Sequence, residues 1–315
     1  MKITMEEVTT YLTQGQRFLI TAHVNPDGDA IGSSLGLQAY LRRQGKMAEV
    51  FIDDDLPRNL SFMPGFSGIR RPDGADWKPD FLVVLDTDTN RIGEVSKCAP
   101  RAKILNIDHH ISNDGKADYL YLAKRSATAE MLFEILESSG ADFPLEVAIP
   151  LYVGIATDTG FFRYSNTTPL TMRVGGRLLE VGIRPSDISE LLELKPLSVV
   201  KGQAAALDTL ELFANGRVAG LFLEKTFVDQ MESTDSFIDL IRVIEGVEIA
   251  VLIKAVEERR CRVSIRSKGI NVSDIAVRFG GGGHIRAAGC TLNMTLAEAK
   301  AALVPVLAEA VAKEP

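Results

Sequence analysis

Four short stretches of the chain concentrate histidine and aspartate side chains. The first is HVNPDGD, which places His23, Asp27 and Asp29 within seven positions. Two carboxylates this close repel each other, and a divalent cation removes the repulsion. Carboxylates together with an imidazole suit a manganese- or zinc-like ion. Aspartate also favours turns and helix N-termini, so a purely structural capping role for Asp27 and Asp29 stays open at this point.

Two further stretches follow apolar runs that are typical of buried strands. FLVVL leads into DTD, with Asp86 and Asp88, and KILNI leads into DHH, with Asp108, His109 and His110. A buried carboxylate such as Asp86 is costly unless it is paired, protonated or bound to metal, and Asp88 is a rival ligand. Adjacent side chains at a strand end point in opposite directions. We therefore expect one imidazole to bind metal and the other to face the substrate, with Asp108 orienting an imidazole. The structural alternatives are a helix cap and a hydrogen-bonded polar cluster.

The fourth stretch, GIATDTG, holds Asp158 among small residues that allow close approach to a bound group. Together the four stretches supply enough oxygen and nitrogen for two divalent ions, with one carboxylate bridging them. The predicted ligand set is His23, Asp27, Asp29, Asp86, His109 and Asp158. Three of the four histidines of the chain lie in these stretches, and the fourth, His284, follows a run of four glycines.

The glycine run at 280–283 is a candidate anion-binding segment. Consecutive glycine amides form concavities that bind anions, although a flexible linker has the same composition. Arg266 and Ser267 are candidates to hold a phosphate or to stack on a base. The stretch RRCR at 259–262 is interpreted instead as a solvated strand edge. The candidate anion-binding residues at this point are Arg266, Ser267, Gly281, Gly282 and Gly283.

Alternating strand and helix patterns position these residues. Apolar runs at 18–23, 48–52, 81–85 and 103–107 predict strands, and helical periodicity appears at 30–43 and 127–136. This alternation predicts an α/β fold with a parallel sheet covered by helices on both faces. Ligands bind beyond the carboxyl ends of the strands in such sheets. The acidic triplet at 53–55 is interpreted as a solvated turn.

The pattern changes near residue 195. A helix over 199–212 is predicted to link two bodies, and the strands after it alternate in a way that predicts a smaller, mixed-sheet α/β domain. We therefore expect a metal-binding catalytic domain at 1–190, a linker helix at 191–212 and a substrate-binding domain at 213–315.

Composition restricts the function classes. The 315 residues are 46% hydrophobic and 24% charged, and the formal net charge is −7. This charge argues against binding of long duplex nucleic acid, but not against a short anionic substrate. No apolar run could span a bilayer and no signal-peptide core is present, so we expect a cytoplasmic protein without membrane contact. The three cysteines, Cys98, Cys261 and Cys290, offer neither a disulfide framework nor a zinc pair.

The four stretches resemble the motifs of the DHH phosphoesterase superfamily. The matching segments are AHVNPDGDAIGSS, LDTDT, IDHH and GIATDTG, and FGGGGHIRAAG resembles the signature of the DHH-associated C-terminal domain, DHHA1. Five motifs in the family's order cover nearly the whole chain. Its length makes it most similar to the small nanoRNase/pAp-phosphatase members.

The resemblance implies two Mn²⁺ ions, with Mg²⁺ or Co²⁺ as alternatives. It assigns His23 and Asp27 to the first ion, Asp29, His109 and Asp158 to the second, and Asp86 to both as a bridge. It also implies that His110 contacts the scissile phosphate, that Asp108 supports the histidine pair, and that Arg266, the glycines and His284 bind the distal part of the substrate. The implied catalytic set is His110, Asp108 and Asp86.

The expected activity is manganese-dependent phosphoester hydrolysis by water that two metal ions activate. The expected substrates are short oligoribonucleotides, including nanoRNA and pApA-type dinucleotides, which yield mononucleotides, and pAp, which yields AMP. The alternatives are a pyrophosphatase- or exopolyphosphatase-like hydrolase and a non-enzymatic, metal-dependent nucleotide sensor. Whether the chain forms a homodimer is left open.

Overall fold

The computed structural model describes residues 1–73, 77–113, 115–231, 233–234 and 236–313. The chain folds into two compact units, Met1–Leu194 and Lys195–Pro315. None of the helices in the described ranges has the length and apolar character that crossing a bilayer requires.

The first unit is built on a parallel sheet with the strand order β2-β1-β3-β4-β5. Its strands are β1 (Arg17–Thr21), β2 (Met47–Val50), β3 (Phe81–Leu85), β4 (Lys103–Asp108) and β5 (Tyr119–Leu122). Its helices are α1 (Met5–Gln14), α2 (Gly28–Arg43), α3 (Val95–Cys98), α4 (Thr128–Ser138), α5 (Leu145–Asp158), α6 (Pro169–Glu180) and α7 (Pro185–Glu193). The chain leaves β1 for β2 on one side and returns to β3 on the other. The carboxyl ends of β1 and β3 therefore flank the point where such folds bind ligands.

The two faces of this sheet are covered differently. Alternate side chains of β1 point to opposite faces of the sheet. Phe18 and Ile20 therefore pack in the core that this face forms with α2, α4 and α5. Leu19 points to the opposite face, where it packs in a smaller cluster with Val95 and Cys98 of the four-residue helix α3. The predicted α/β class with a parallel sheet is confirmed, but one face is covered by a short helix and irregular chain.

Helices α2 and α5 pack antiparallel and unusually close. Three glycines, Gly28, Gly32 and Gly36, form a stripe along α2. A Cβ atom on Gly32 would lie 2.3 Å from the carbonyl oxygen of Pro150 and 2.9 Å from the amide nitrogen of Gly154, both in α5. The missing side chains therefore let the N-terminus of α2 lie against the C-terminus of α5.

The second unit contains a mixed sheet with the order β10-β11-β9-β8-β7-β6, in which β7 and β8 pair parallel and the other pairs are antiparallel. Its strands are β6 (Glu211–Phe213), β7 (Val218–Leu223), β8 (Ile249–Glu257), β9 (Arg260–Ser267), β10 (Gly282–His284) and β11 (Ala287–Leu292). Its helices are α8 (Leu197–Leu207), α9 (Lys225–Val228), α10 (Phe237–Arg242), α11 (Val272–Arg278) and α12 (Leu296–Ala312). The predicted mixed-sheet α/β class is confirmed here as well.

The predicted linker helix at 199–212 differs from the structure. Helix α8 spans Leu197–Leu207, and β6 begins at Glu211. Val199 and Ala206 of α8 pack in an apolar cluster with Leu221 of β7. Helix α8 is therefore part of the core of the second unit.

Candidate metal centre

The loop between β1 and α2 presents His23 and Asp27. Asp27 is the N-cap of α2, and its Oδ1 accepts hydrogen bonds of 3.0 Å from the amides of Asp29 and Ala30. The capping role that the sequence left open is thus filled, yet the same Oδ1 lies 3.9 Å from Nε2 of His23. Nδ1 of His23 lies 2.9 Å from the Val24 carbonyl, to which it donates. This bond leaves Nε2 without a proton in the neutral ring, as a metal ligand requires.

Asp86 lies at the centre of the cluster. It directly follows β3, adopts a left-handed conformation with φ 61° and is 1% exposed. Its Oδ2 lies 3.5 Å from Nε2 of His23, and its Oδ1 lies 3.3 Å from Nε2 of His109. The hydroxyl of Thr128, at the start of α4, donates to Oδ1 over 3.1 Å. Each oxygen of one carboxylate therefore faces a different imidazole, as a bridging ligand would.

The two histidines after β4 do not point in opposite directions as expected. Their ring centroids are 4.4 Å apart, and Oδ1 of Asp86 lies within 3.6 Å of a ring nitrogen of each. Strand β4 ends at Asp108, so the alternation of a strand does not extend to His109 and His110. Their rings still have different partners. Nδ1 of His109 lies 3.2 Å from the Arg125 carbonyl, and Nδ1 of His110 lies 2.8 Å from Oδ1 of Asp108.

Asp29 and Asp158 approach the cluster from α2 and α5. Asp29 is fully buried, and its two oxygens accept hydrogen bonds from the amides of Thr128 (2.6 Å) and Ala129 (2.9 Å) at the N-terminus of α4. Asp158 is the last residue of α5, and its Oδ2 lies 3.4 Å from Nε2 of His109. The close packing of α2 on α5 positions these two carboxylates together.

The crowding of these groups shifts their pKa values. Burial disfavours the charged imidazoles, but the hydrogen bond to Asp86 and the neighbouring carboxylates outweigh it, and the pKa rises to about 9 for His23 and about 11 for His109. Burial, together with the negative charges of neighbouring carboxylates, raises the pKa of Asp29 well above its usual range and that of Asp158 to about 8. Without cations, the site therefore retains protons at neutral pH.

Among the described residues of the first unit, three sets of ligand atoms are close enough to surround a cation, with the atoms of each set within 4.8 Å of one another. They are His23-Asp27-Asp86, Asp29-Asp86-His109 and Asp86-Asp108-His110. The first two hold both oxygen and imidazole ligands and share Asp86, a donor set that suits two divalent ions with one bridging carboxylate.

The predicted substrate-binding residues lie in the second unit, at the end of β9 and in and next to β10. Part of the glycine run forms β10, which pairs antiparallel with β11. A Cβ on Gly281 would lie 2.1 Å from the Gly289 carbonyl oxygen, and one on Gly283 would lie 2.5 Å from that of Ala287. These glycines thus have a packing role that an anion-binding loop would not need.

The other residues of this set have varied surroundings. Gly282 is half-buried and His284 is exposed. Arg266, which is half-buried, donates from its guanidinium to the carbonyl of Ile265 at 3.1 Å. The Ser267 hydroxyl donates to the Ile270 carbonyl, within the turn that follows β9.

Some residues that hold the site were missed or misread from the sequence. The triplet at 53–55 was interpreted as solvated, yet Asp54 Oδ2 accepts a 2.7 Å hydrogen bond from the Asn25 amide and so holds the loop of the first motif. Asn166 donates to the carbonyls of Ser126 (3.1 Å) and Asp158 (3.0 Å). Neither role has a local sequence signal, because none of these pairs has the spacing of a turn or a helix cap.

Asp88, the rival ligand, has a structural role. Its Oδ1 accepts a 2.7 Å hydrogen bond from the amide of Asn90, which closes the turn after β3. It belongs to none of the ligand clusters found among the described residues.

Comparison with known proteins matches each unit to a domain family. The N-terminal domain of the DHH family matches residues 17–155, and the DHHA1 domain matches residues 218–313. A Thermus thermophilus protein named bifunctional oligoribonuclease and PAP phosphatase NrnA is 35% identical over 87% of this chain and 83% of its own length. The Bacillus subtilis protein of that name is 28% identical over 87% and 88%. The crystal structure of an exopolyphosphatase-related protein from Bacteroides fragilis superposes with a TM-score of 0.88 at 26% identity, covering 97% of this chain and 95% of that one.

Proposed function

Because the chain belongs to the DHH family of phosphoesterases, we propose that it is a metal-dependent hydrolase of short oligoribonucleotides and of pAp. It releases mononucleotides from the former and AMP from the latter. The observation that carries this proposal is the meeting of His23, Asp86, His109 and Asp158 at one edge of the sheet. The two relatives named for both activities support the choice of substrates.

The resident ions in this proposal are two Mn²⁺, with Mg²⁺ and Co²⁺ as alternatives. His23 and Asp27 hold one, Asp29, His109 and Asp158 hold the other, and Asp86 is shared. Mixed carboxylate and imidazole donors in two overlapping clusters fit this choice. When bound, such ions lower the pKa of water and neutralise charge that develops on phosphoryl oxygens.

His110 supplies a proton donor for the phosphate. Burial alone would lower its pKa, but the hydrogen bond to Asp108 and the charge of Asp86 raise it above the ordinary value. Nδ1 lies 2.8 Å from Oδ1 of Asp108, so the proposal assigns the contact with the phosphate to the second nitrogen, Nε2. In this proposal, a donor at an oxygen of the scissile phosphate would stabilise the negative charge that grows there.

The second unit contributes binding of the distal part of the substrate in this proposal. The residues assigned to it are Arg266, Ser267, Gly281, Gly282, Gly283 and His284. Arginine suits this task because its planar guanidinium binds phosphate oxygens in pairs or stacks on a base.

The test is an activity panel in manganese with pAp, pApA, a five-nucleotide RNA, pyrophosphate and polyphosphate. The variant Asp86→Asn should abolish hydrolysis. The same substitution at Asp88, whose carboxylate caps a turn, should leave hydrolysis nearly unchanged. Turnover confined to pyrophosphate or polyphosphate would indicate the alternative hydrolase class. These two compounds are in the panel because the Bacteroides fragilis protein is named exopolyphosphatase-related. Nucleotide binding without turnover of any compound would indicate a sensor.

A further inference from the structure

A pair of asparagines lies directly behind Asp86. Asn106, in β4, is 1% exposed, and its side-chain amide donates to the carbonyls of Val84 (2.9 Å) and Thr87 (2.7 Å). These two carbonyls flank Asp86, which adopts the left-handed conformation that non-glycine residues rarely hold without support. Asn106 therefore spans the turn that presents the Asp86 carboxylate.

Asn113 continues this network to His110. Its Nδ2 lies 2.8 Å from Oδ1 of Asn106 and 2.7 Å from Oδ2 of Asp108. The other oxygen of Asp108 accepts hydrogen bonds from the His110 amide (3.0 Å) and ring (2.8 Å). A continuous chain of hydrogen bonds thus joins the Asp86 turn to the imidazole of His110.

Position 113 requires a side chain with the shape of asparagine and a hydrogen-bond donor. Asp108 is fully buried, so each of its oxygens needs a hydrogen bond, and Asn113 supplies one to Oδ2. Without that donor, the carboxylate can rotate toward other partners and take the His110 ring with it. An aspartate at 113 would have the same shape but would place an acceptor against an acceptor.

We infer that Asn113 is a positioning residue that fixes the His110 imidazole through Asp108 while anchored on Asn106. This inference rests on the proposed function, because it places His110 at the scissile phosphate. Hydrogen-bond partners of this kind are worth about ten- to a hundredfold in activity at metal sites when they are lost.

The test uses Asn113→Ala and the isosteric Asn113→Asp, with Asn59→Ala as the control. Asn59 is an exposed asparagine in the same unit, and its amide donates to the Leu192 carbonyl. For both variants at 113, kcat for pAp should fall about ten- to a hundredfold, while KM and manganese affinity stay near those of the wild type. The control should match the wild type in all three. Wild-type kcat in a folded variant at 113, or an equal loss in the control, overturns the inference.

A double-mutant cycle with Asp108→Asn tests the route through Asp108. If Asn113 acts only through that carboxylate, then adding Asn113→Ala to Asp108→Asn lowers kcat no further. Losses that multiply would show that Asn113 acts elsewhere.

Long-range ¹H–¹⁵N spectra of the histidine rings give a readout that does not need turnover. The His110 Nδ1 signal should move in both variants at 113 and stay in place in the control; an unmoved signal overturns the inference. If the wild type hydrolyses no compound in the panel, the proposed function fails, and these spectra still decide whether Asn113 positions the ring.

Discussion

Replacing Gly32 by alanine should separate the two helices that carry Asp29 and Asp158. In an exposed helix interior, this change would stabilise the fold by about 1 kcal/mol. Here the new Cβ would lie 2.3 Å from the Pro150 carbonyl oxygen and 2.9 Å from the Gly154 nitrogen. Both are backbone atoms, so neither can rotate away, and α2 must move from α5 by most of an ångström.

The expected loss follows from these opposing effects. Overpacking a rigid contact costs about 1–3 kcal/mol, and the cost at Gly32 should lie at or above the upper end of this range. After subtracting the gain of about 1 kcal/mol in helix propensity, the net destabilisation should be about 2 kcal/mol. For a unit of this size, the melting temperature should fall by about 4–8 °C. A shift of this size between Asp29 and Asp158 should also lower kcat/KM by about a hundredfold.

Calorimetry and pAp hydrolysis in manganese measure both effects, and Gly176→Ala is the matched control. Gly176 lies in α6 of the same unit, and its added Cβ would meet nothing within 4 Å. The control should melt at or slightly above the wild-type temperature and keep full activity. If Gly32→Ala behaved like this control, the reasoning from helix proximity would be refuted.

Three further predictions concern the metal centre. Manganese affinity should rise between about pH 6.5 and pH 8, by up to tenfold per pH unit for each proton released. The reason is that His23 and Asp158 hold protons in the ion-free protein and must lose these protons to bind a metal ion. Binding isotherms that do not change with pH would contradict this. Manganese at a hundred times its dissociation constant should stabilise the protein by about 2.7 kcal/mol per site, and a chelator should reverse the resulting rise in melting temperature; a melting curve indifferent to both would argue against a resident ion. Asp54→Ala should weaken manganese binding about tenfold, because the Asn25 amide loses its acceptor, whereas Asp55→Ala, which removes only an exposed ion pair with Arg71, should bind manganese normally.

The sheet and the meeting of Asp86 with His109 at its edge could be predicted from the sequence for a simple physical reason. FLVVL is apolar throughout and KILNI is apolar except for Lys103 and Asn106, so both were predicted to be buried strands, and parallel strands place their carboxyl ends at one edge. Asp86 and His109 follow these strands directly, and their convergence required no knowledge of the loops. The Asp27 cap and the Asp29 position likewise follow from the helix that begins beside them.

The sequence could not predict interactions that depend on loop conformation. Asp54 lies in an acidic triplet that has the composition of a solvated turn, and only the folded loop places the Asn25 amide beside it. Strand β5 is a four-residue edge strand, too short for a clear alternation. The composition of the glycine run likewise could not show that an added Cβ at 281 or 283 would meet the backbone of β11.

The hydrogen bonds that fix the Asp29 carboxylate affect the cation selectivity of the proposed metal site. Because the amides of Thr128 and Ala129 hold both of its oxygens, this carboxylate is fixed by the protein and, as a ligand in the proposed metal site, could not adapt its reach to a smaller or larger ion. Discrimination then depends on ion size and on donor chemistry. Mg²⁺ prefers an octahedral shell of oxygens and gives up its waters reluctantly, whereas Mn²⁺ accepts imidazole nitrogen more readily. A rigid pocket with His23 and His109 on its wall should therefore favour manganese, even when magnesium is far more abundant.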